Sequence, residues 1–302
     1  VSGAIPISAA IPTYRRGDVL LETLAALQSL DGRPSEILVL DQTEEHDPDV
    51  RRELSSLDQA GKIRWIRLCS PSIPAAMNRG LVEAREDIVL FLDDDIRPEP
   101  ALIGSHLAAH AQGCNGLVAG RVIQPWQEGT DFSSDENFHF ASLRKAWIHE
   151  FMGGNFSVRR DVARSLGGFD ENFVGAAYRF EAEFASRFTA MYGPILYEPD
   201  ALLHHLHLSS GGTRAHGDHL HTIRPAHSVG AYYFLMRVRP EGWWRQIPAR
   251  AFRSIRTRHH LRQPWWIPMT LVSELRGFAL ALRLWSRGPK LLPTAGDLEE
   301  GK

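Results

Sequence analysis

The sequence predicts an α/β fold: a mixed, mainly parallel sheet flanked by helices, with a helical C-terminal appendage. Three observations predict it. Apolar runs and helical patterns alternate with short connections from Ile7 to Asp95, the pattern of βαβ units with right-handed crossovers. One run, Ile88 to Leu92 (IVLFL), is apolar at every position, as in a strand buried on both faces. It ends in Asp93, Asp94 and Asp95, and open α/β sheets bind ligands at the carboxyl ends of their strands.

The elements follow in order. Ile7 to Ile11 is a strand closed by Pro12-Thr13-Tyr14. Asp18 to Leu30 carries Val19, Leu20, Leu24, Leu27 and Leu30 at helical spacing, with Asp18 as N-cap and Asp31-Gly32 as its stop. Glu36 to Leu40 is the second strand, with Asp41 at its end. Asp49 to Ala60 is a helix stopped by Gly61, Ile63 to Leu68 a third strand, and Ala75 to Arg85 a helix feeding IVLFL. Pro98 to Ala111 reads as a helix and Gly116 to Val122 as a strand. Gln124 to Glu150, aromatic and polar, reads as a long functional loop with at most one helix and no sheet element. In FMGGNFSVR, Phe151 to Arg159, paired glycines permit close backbone approach before a short strand. Asp161 to Leu166 is a short helix, and Glu181 to Met191 a helix with Glu181 and Glu183 at its start. Ile195 to Tyr197 and Ala201 to Leu206 are two short strands ahead of the loop SSGGTR. From about His219 the chain is helical and basic, with Pro240, Pro248 and Pro264 as punctuation.

The 43% hydrophobic and 23% charged fractions are ordinary for a globular protein, and the net charge of -2 argues against a nucleic-acid partner. The charge is unevenly spread: from Arg237 to Lys290 the only acids are Glu241 and Glu274, against a series of arginines. Cys69 and Cys114 are too few for a disulfide framework and point to a reducing, cytoplasmic setting. The opening VSGAIPISAA lacks the basic and long apolar segments of a secretory signal, and no apolar stretch reaches the ~18 residues of a membrane span.

Three adjacent carboxylates repel one another and need a compensating charge. A hard divalent cation with oxygen ligands, shared with a phosphate, supplies it; a solvated acidic loop or a set of helix caps is the plainer alternative. No G-x-G-x-x-G follows the first strand and no G-x-x-x-x-G-K-[ST] occurs. A nucleotide would therefore be held by acids at strand ends, Asp41 accepting from a base N–H and Asp93 and Asp95 holding ribose and metal. Taken alone, Asp41 reads rather as a helix or turn cap, and Glu181 and Glu183 rather as favourable charges in a helix first turn. His205 and His207 with His216, His219 and His221 offer a zinc site as an alternative.

Taken in order, IPTYRR, VLDQTEE, MNRGLVEAREDIVLFLDDD, GGNFSVRR, GGFDENF, FEAEFASRF and the histidine after EPDALL resemble the family 2 glycosyltransferases, over residues 7 to 215. The resemblance implies the GT-A fold, a Rossmann-like variant of the sheet described above. It also implies inverting, metal-dependent, non-processive transfer of a sugar from a nucleotide diphosphate donor, UDP in the commonest case, to an acceptor hydroxyl in polysaccharide or glycolipid assembly. It further implies a catalytic domain over 1–215, with a nucleotide half to about 122 and an acceptor half from about 123. Residues 216–302 then form a separate basic, Trp/Arg-rich helical region. By the same resemblance, Pro12, Thr13, Tyr14, Arg15, Asp41, Asn78, Arg79, Asp93 and Asp94 serve the nucleotide. Asp93, Asp95 and His205 serve Mn²⁺ or Mg²⁺, with His204 and His207 as rivals to His205. Gly154, Asn155 and Arg214 face sugar, acceptor or diphosphate. Glu181 stands at the position of the general base, but Phe180 replaces the family's preceding acid, which leaves Glu181 and Glu183 both open. A catalytically inactive nucleotide-sugar-binding or scaffold module is the competing reading.

Beyond the resemblance, Trp243, Trp244, Trp265 and Trp266 lie among Arg245, Arg250, Arg253, Arg256, Arg258 and Arg262, and Leu271 to Leu284 makes an apolar helix. Such a composition suits peripheral attachment to an anionic membrane face, where a lipid-linked or carbohydrate acceptor would be met. A helical appendage with solvated arginines is the equal alternative.

Overall fold

The computed structural model describes residues 4–133, 137–208, 211–212 and 222–293. Its core is a nine-stranded mixed sheet in the order β3-β2-β1-β4-β8-β6-β9-β5, with β7 paired to β9. The strands are β1 (Ile5–Thr13), β2 (Pro34–Asp41), β3 (Arg64–Arg67), β4 (Ile88–Leu92), β5 (Ile96–Pro98), β6 (Leu117–Ile123), β7 (Ala146–Ile148), β8 (Asn155–Arg159) and β9 (Ile195–His205). The half from β3 to β4 is parallel throughout. Beyond it, β8 runs antiparallel between β4 and β6, and β6 runs parallel to β9.

The helices that return the chain between the parallel strands are α1 (Gly17–Ser29), α2 (Pro48–Gln59) and α3 (Ile73–Glu83). Helix α1 buries Val19, Leu20, Leu24 and Leu27, the periodic positions seen in the sequence, while α2 buries Val50 and Leu54 and α3 buries Ala76, Met77 and Leu81. Gly80 lets α3 lie close on the sheet, since a Cβ there would meet Ala10 and Phe91 at 3.2 and 3.3 Å. Helices α4 (Leu102–Ala111), α5 (Arg160–Ser165) and α6 (Phe180–Tyr192) complete this part of the chain.

Several expectations are corrected. Asp18 does not cap α1: the N-cap is Arg16, which makes no capping bond, and Asp18 sits in the first turn. The guanidinium of Arg16 is drawn instead to Asp94 and Asp95. Residues 98–101 are not helical, because Ile96–Pro98 pairs antiparallel with β9 and α4 starts only at Leu102. The stretch 124–150 does contain a sheet element, β7, paired antiparallel with β9. The hydroxyl of Tyr197 holds the preceding loop by donating to the carbonyls of Phe140 and Ser142 at 3.1 and 2.8 Å. The two strands expected between 195 and 206 are one, because Pro199-Asp200 is absorbed as an irregularity where the β6 register shifts between Gly120 and Arg121. Pro248 lies inside a helix, α8 (Trp243–Ile255), rather than ending it.

The chain divides into two compact units, the first comprising 1–168, 185–212 and 292–302, the second 169–184 and 213–291. The first holds the sheet and a core of fully buried Ile7, Ile11, Leu20, Leu24, Leu27, Leu90 and Leu102. The second is helical, built on α7 (Ser228–Val238), α8, α9 (Arg258–Arg262) and α10 (Ile267–Ser286). Here α10 crosses α7 closely enough that a Cβ on Gly277 would lie 2.1 Å from Ser228 Oγ. Phe169 stacks on Phe184 at 4.5 Å, and Phe173 meets the Tyr233 ring edge-on at 5.0 Å.

Phe91 on β4 is fully buried and stacks on Phe156 of β8 at 5.0 Å. Truncating Phe91 to Ala is expected to cost about 3–5 kcal/mol, read from the urea midpoint. A loss below about 1 kcal/mol would mean that this strand is not central to the core.

Candidate active site

The acidic triplet leaves β4 with each side chain in a different environment. Asp94 is buried, taking a bond from Thr13 Oγ1 at 2.7 Å and from Arg16 Nη1 at 2.8 Å. Thr23 on α1 donates to its carbonyl at 2.9 Å. Desolvation raises its carboxyl above the usual range despite Arg16. Asp94 thus ties the first loop and α1 to the end of β4. Asp95 is fully enclosed, with Arg16 Nη1 3.0 Å from Oδ2 and the Leu208 N–H donating to the same oxygen at 3.2 Å. Its Oδ1 is buried without a well-directed hydrogen bond, although His205 Nε2 lies 3.1 Å away. Burial raises the Asp95 carboxyl, but His205, Arg16 and the Leu208 amide together outweigh it and hold it below the ordinary value.

Asp93 keeps 47% of its side-chain surface open. Desolvation by the surrounding protein, helped by Asp95 and Asp94, nevertheless pushes its carboxyl up to about 6, against the opposing pull of His205 and Arg16. Its Oδ2 is 3.7 Å from His205 Nε2. Gly154 accounts for the fit: a Cβ there would lie 2.1 Å from Asp93 Oδ2, and the Gly154 carbonyl accepts the Asp93 N–H at 3.3 Å. Gly154, the second of the paired glycines, therefore makes room for a carboxylate.

His205 arrives from the end of β9, and β5 pairs with it there, Ile96 opposite His205. Its Nδ1 lies 3.0 Å from Gln124 Oε1. A neutral imidazole donating from Nδ1 to that amide oxygen turns its Nε2 lone pair toward Asp93 and Asp95. Desolvation lowers the His205 pKa, but Asp95 and Asp93 outweigh it, and the net shift is upward. His204 points elsewhere, to Glu128 at 2.7 Å and Glu99 at 3.2 Å. His207 packs its ring on Trp126 at 4.9 Å and on His205 at 5.8 Å.

Ligand atoms of Asp93, Asp95 and His205 lie within 4.8 Å of one another, and among the described residues this is the one grouping of three or more such side chains that could hold a metal ion. The donor set fits a divalent cation on two counts. Two carboxylates and an imidazole suit Mn²⁺ or a similar hard-to-borderline ion. The buried, poorly satisfied Oδ1 of Asp95 is aimed into the cluster, where a cation would satisfy it.

Other residues singled out from sequence fall into two groups. Near the triplet, Pro12 and Thr13 end β1, and the half-buried Tyr14 and exposed Arg15 grip Glu44 at 3.2 Å. Gly212 donates to the Tyr14 carbonyl at 2.9 Å, and a Cβ on Gly211 would lie 2.7 Å from the Arg15 carbonyl. Engaged within the fold are Asp41, Asn155, Asn78 and Arg79. Asp41 is fully buried and already accepts from Trp65 Nε1 at 2.8 Å and Thr43 N at 2.9 Å, with His46 Nε2 at 2.6 Å. Asn155 is fully buried, donating to Arg121 and Ala201 carbonyls at 2.9 and 2.8 Å, with His106 Nε2 2.9 Å from its Oδ1. Burial pushes the partner His106 down to about 4, so that ring is neutral. Asn78 is buried on α3, and Arg79 pairs with Glu83 at 2.7 Å. Arg214 and the histidines at 216, 219 and 221 lie outside the described residues. Sequence reasoning missed Arg16 and Gln124. The need for a positive charge at the triplet was the signal for Arg16.

In the second unit, Glu183 is buried with Arg237 Nη2 3.4 Å away. Arg237 also lies 3.5 Å from Asp170, which Tyr233 holds by its hydroxyl at 2.7 Å. Glu181, two positions earlier in the first turn of α6, is partly exposed.

A family model described as Glycosyl transferase family 2 matches residues 8–182, and no curated protein sequence matches the chain. Among solved structures the chain is similar to a mannosyltransferase of Pyrobaculum calidifontis in complex with GDP-Man and Mn²⁺, with 18% identity, 99% of this chain and 80% of that one covered, and a TM-score of 0.56. It is similar to TarS of S. aureus, residues 1-349, in complex with UDP-GlcNAc, at 12% identity, coverage of 94% and 92%, and a TM-score of 0.60. GalNAc-T7 with UDP, GalNAc and Mn²⁺ aligns at 13% identity and a TM-score of 0.57, with 95% of this chain covering 59% of that one. These likenesses fix the fold as that of the GT-A neighbours.

Among the described residues, Gln124 meets the cluster through His205. Replacing Gln124 by Leu is expected to weaken Mn²⁺ binding ~10–100-fold, measured by calorimetry, and unchanged affinity would remove it from the site. A second expectation concerns pH. With its carboxyl at about 6, Asp93 holds a proton in acid that must leave before the oxygen can ligate. His205, whose carboxylate neighbours shift it upward, must lose its proton as well, so Mn²⁺ affinity should fall progressively as pH drops from 8 to 5, by at least about tenfold per pH unit at the acid end, and a flat profile from 5 to 8 would contradict the assignment.

Proposed function

The chain belongs to glycosyl transferase family 2, and we propose that it is an inverting, non-processive enzyme transferring a sugar from a nucleotide diphosphate donor to an acceptor hydroxyl. The observation that carries this reading is the convergence of Asp93, Asp95 and His205 at the ends of β4 and β9. Mn²⁺ or Mg²⁺ is the proposed cation. When bound, it supplies Lewis-acid stabilisation of the negative charge on the departing diphosphate. Arg16 and Thr13 hold Asp94 and Asp95 in place before any ligand arrives, so little reorganisation is left for binding. Gly154 leaves the space in which Asp93 turns its carboxylate. The loop of Pro12 to Arg15 with Asp41, Asn78 and Arg79 is the proposed nucleotide side. Gly154, Asn155 and Arg214 are the proposed sugar side, Asn155 by its backbone, since its side chain is committed to the sheet.

Glu181 is the proposed general base. A base must reach the acceptor hydroxyl, to within about 3 Å. Glu183 is buried against Arg237, which closes it to substrate, whereas Glu181 is partly open. UDP is the proposed carrier, with GDP the rival, since the similar structures hold both UDP-GlcNAc and GDP-Man. The role proposed is polysaccharide or glycolipid assembly, with a carbohydrate or lipid-linked acceptor, on the cytoplasmic side.

A peripheral membrane contact through the second unit is also proposed. Among the described residues no helix is long and apolar enough to cross a membrane. What supports a surface contact is α10, which buries Thr270, Ser273, Glu274, Gly277 and Ala281 and leaves Leu271, Val272, Leu275 and Leu282 exposed. Arg276, Arg283 and Arg287 flank this stripe, the charge an anionic lipid face would complement.

A thermal-shift screen of UDP, GDP, dTDP and CDP, each with and without Mn²⁺, tests the donor reading. One nucleotide should raise the melting temperature only with metal, and no shift with any would favour an inactive scaffold. Glu181→Gln should leave that shift intact and lower turnover ~10²–10⁴-fold; full activity would exclude Glu181 as the base. In liposome flotation, the protein should float with anionic vesicles and Leu275→Glu should not; wild-type protein that stays in solution would sink the membrane contact.

A further inference from the structure

The second unit holds a cavity of ≈ 400 Å³ between α8, α10 and the segment before α7, with Tyr178 on its wall. Its charges are Arg224, Arg250, Arg253 and one acid, Glu274, with His227 beside them. Glu274 is already answered: the Tyr232 hydroxyl donates to its Oε2 at 2.7 Å, and Arg250 Nε lies 3.3 Å from the same oxygen. That Nε is itself buried without a well-directed bond. Among the described residues neither Arg224 nor Arg253 has a carboxylate partner for its guanidinium. Two uncompensated guanidiniums at one cavity match the ≈ -1.5 to -2 charge of a phosphate monoester, which arginine meets with bidentate, charge-assisted bonds.

The remaining lining is suited to hydroxyl groups. Ser273 Oγ donates to the Arg224 carbonyl at 3.0 Å and Ser228 Oγ to the Ser273 carbonyl at 3.1 Å. With their protons committed, these oxygens are left as acceptors. The ring of Tyr178 is 50% exposed and gives the apolar face of a sugar or polyol a surface to lie on. Gly230 fixes that residue's backbone on α7, since a Cβ there would lie 2.4 Å from the Tyr178 carbonyl. Tyr178 precedes Glu181 by three residues, which bounds their Cα separation at about 11 Å.

We propose that this cavity is an acceptor subsite that binds a phosphate monoester carried on a hydroxyl-rich group. The inference rests on Glu181 as the base for its link to transfer, but the binding itself does not. The phosphate can belong to a soluble sugar phosphate or to a lipid headgroup, and the experiment separates the two. The full chain is titrated, in EDTA, with glucose 6-phosphate, with glucose, and with vesicles containing phosphatidylinositol 4-phosphate. The expected result is saturable binding of glucose 6-phosphate, at least about tenfold tighter than glucose and weakened about tenfold or more by Arg224→Gln with Arg253→Gln. The control Arg245→Gln should bind like wild type. Saturable, variant-sensitive binding to the vesicles alone would assign the phosphate to a lipid headgroup. No saturable binding to either, or equal binding by wild type and the double variant, overturns the proposal. Folding of the double variant is checked by its UDP–Mn²⁺ thermal shift, which should match wild type. If Glu181→Gln keeps full activity while phosphate binding persists, the base assignment fails and the subsite stands.

Discussion

The architecture depends on holding three like charges together at the end of a buried strand. Two of them are enclosed almost completely, and an enclosed carboxylate without a partner would cost several kcal/mol. Arg16 spans Asp94 and Asp95, Thr13 and Thr23 add bonds from β1 and α1, and His205 closes the far side. The chain spends its first loop, its first helix and the end of its longest strand on this neutralisation. The compensation is incomplete: Asp93 stays half-open with its carboxyl raised, and one oxygen of Asp95 lacks a well-directed bond. That residue of unmet negative charge is what suits the cluster to a cation, as a closed structural network would not be suited.

The three side chains differ accordingly in what they do. Asp94 is a positioning residue, because both its oxygens are taken by Thr13 and Arg16. Asp93 and Asp95 face His205 from one strand end, and Gln124 sets the direction of the imidazole from another. Gly154 is required by this packing rather than by backbone conformation, since the space where its side chain would be is filled by Asp93.

Much of this was legible in the sequence, and the reasons for the rest are physical. The strand-then-carboxylate pattern at 88–95 survives because burial on both faces demands an unbroken apolar run, which leaves the acids nowhere but the end. The parallel half of the sheet follows from the same logic at β1 and β2. The elements β5 and β7 escaped because three residues are too few to establish a period, and Pro199 disguised the continuity of β9. Arg16 was hidden because a second arginine in a loop reads as a solvated charge. Gln124 was hidden because its contact with His205 exists only once β6 and β9 lie side by side. In the second unit, hydropathy identified α10 as apolar, but not that its small and polar face would turn inward onto α7. That choice is set by the close approach at Gly277, a packing constraint no periodicity reveals.

In the proposed function, Asp93, Asp95 and His205 form one divalent-cation site that works with a nucleotide diphosphate. The most direct measurement follows the free Mn²⁺ electron paramagnetic resonance signal as the protein is titrated in, with and without UDP or GDP. Wild-type protein should deplete the free signal, more strongly with one nucleotide present, and Asp95→Asn and His205→Ala should each abolish the depletion. Equal depletion by wild type and both variants would place the metal elsewhere in the molecule.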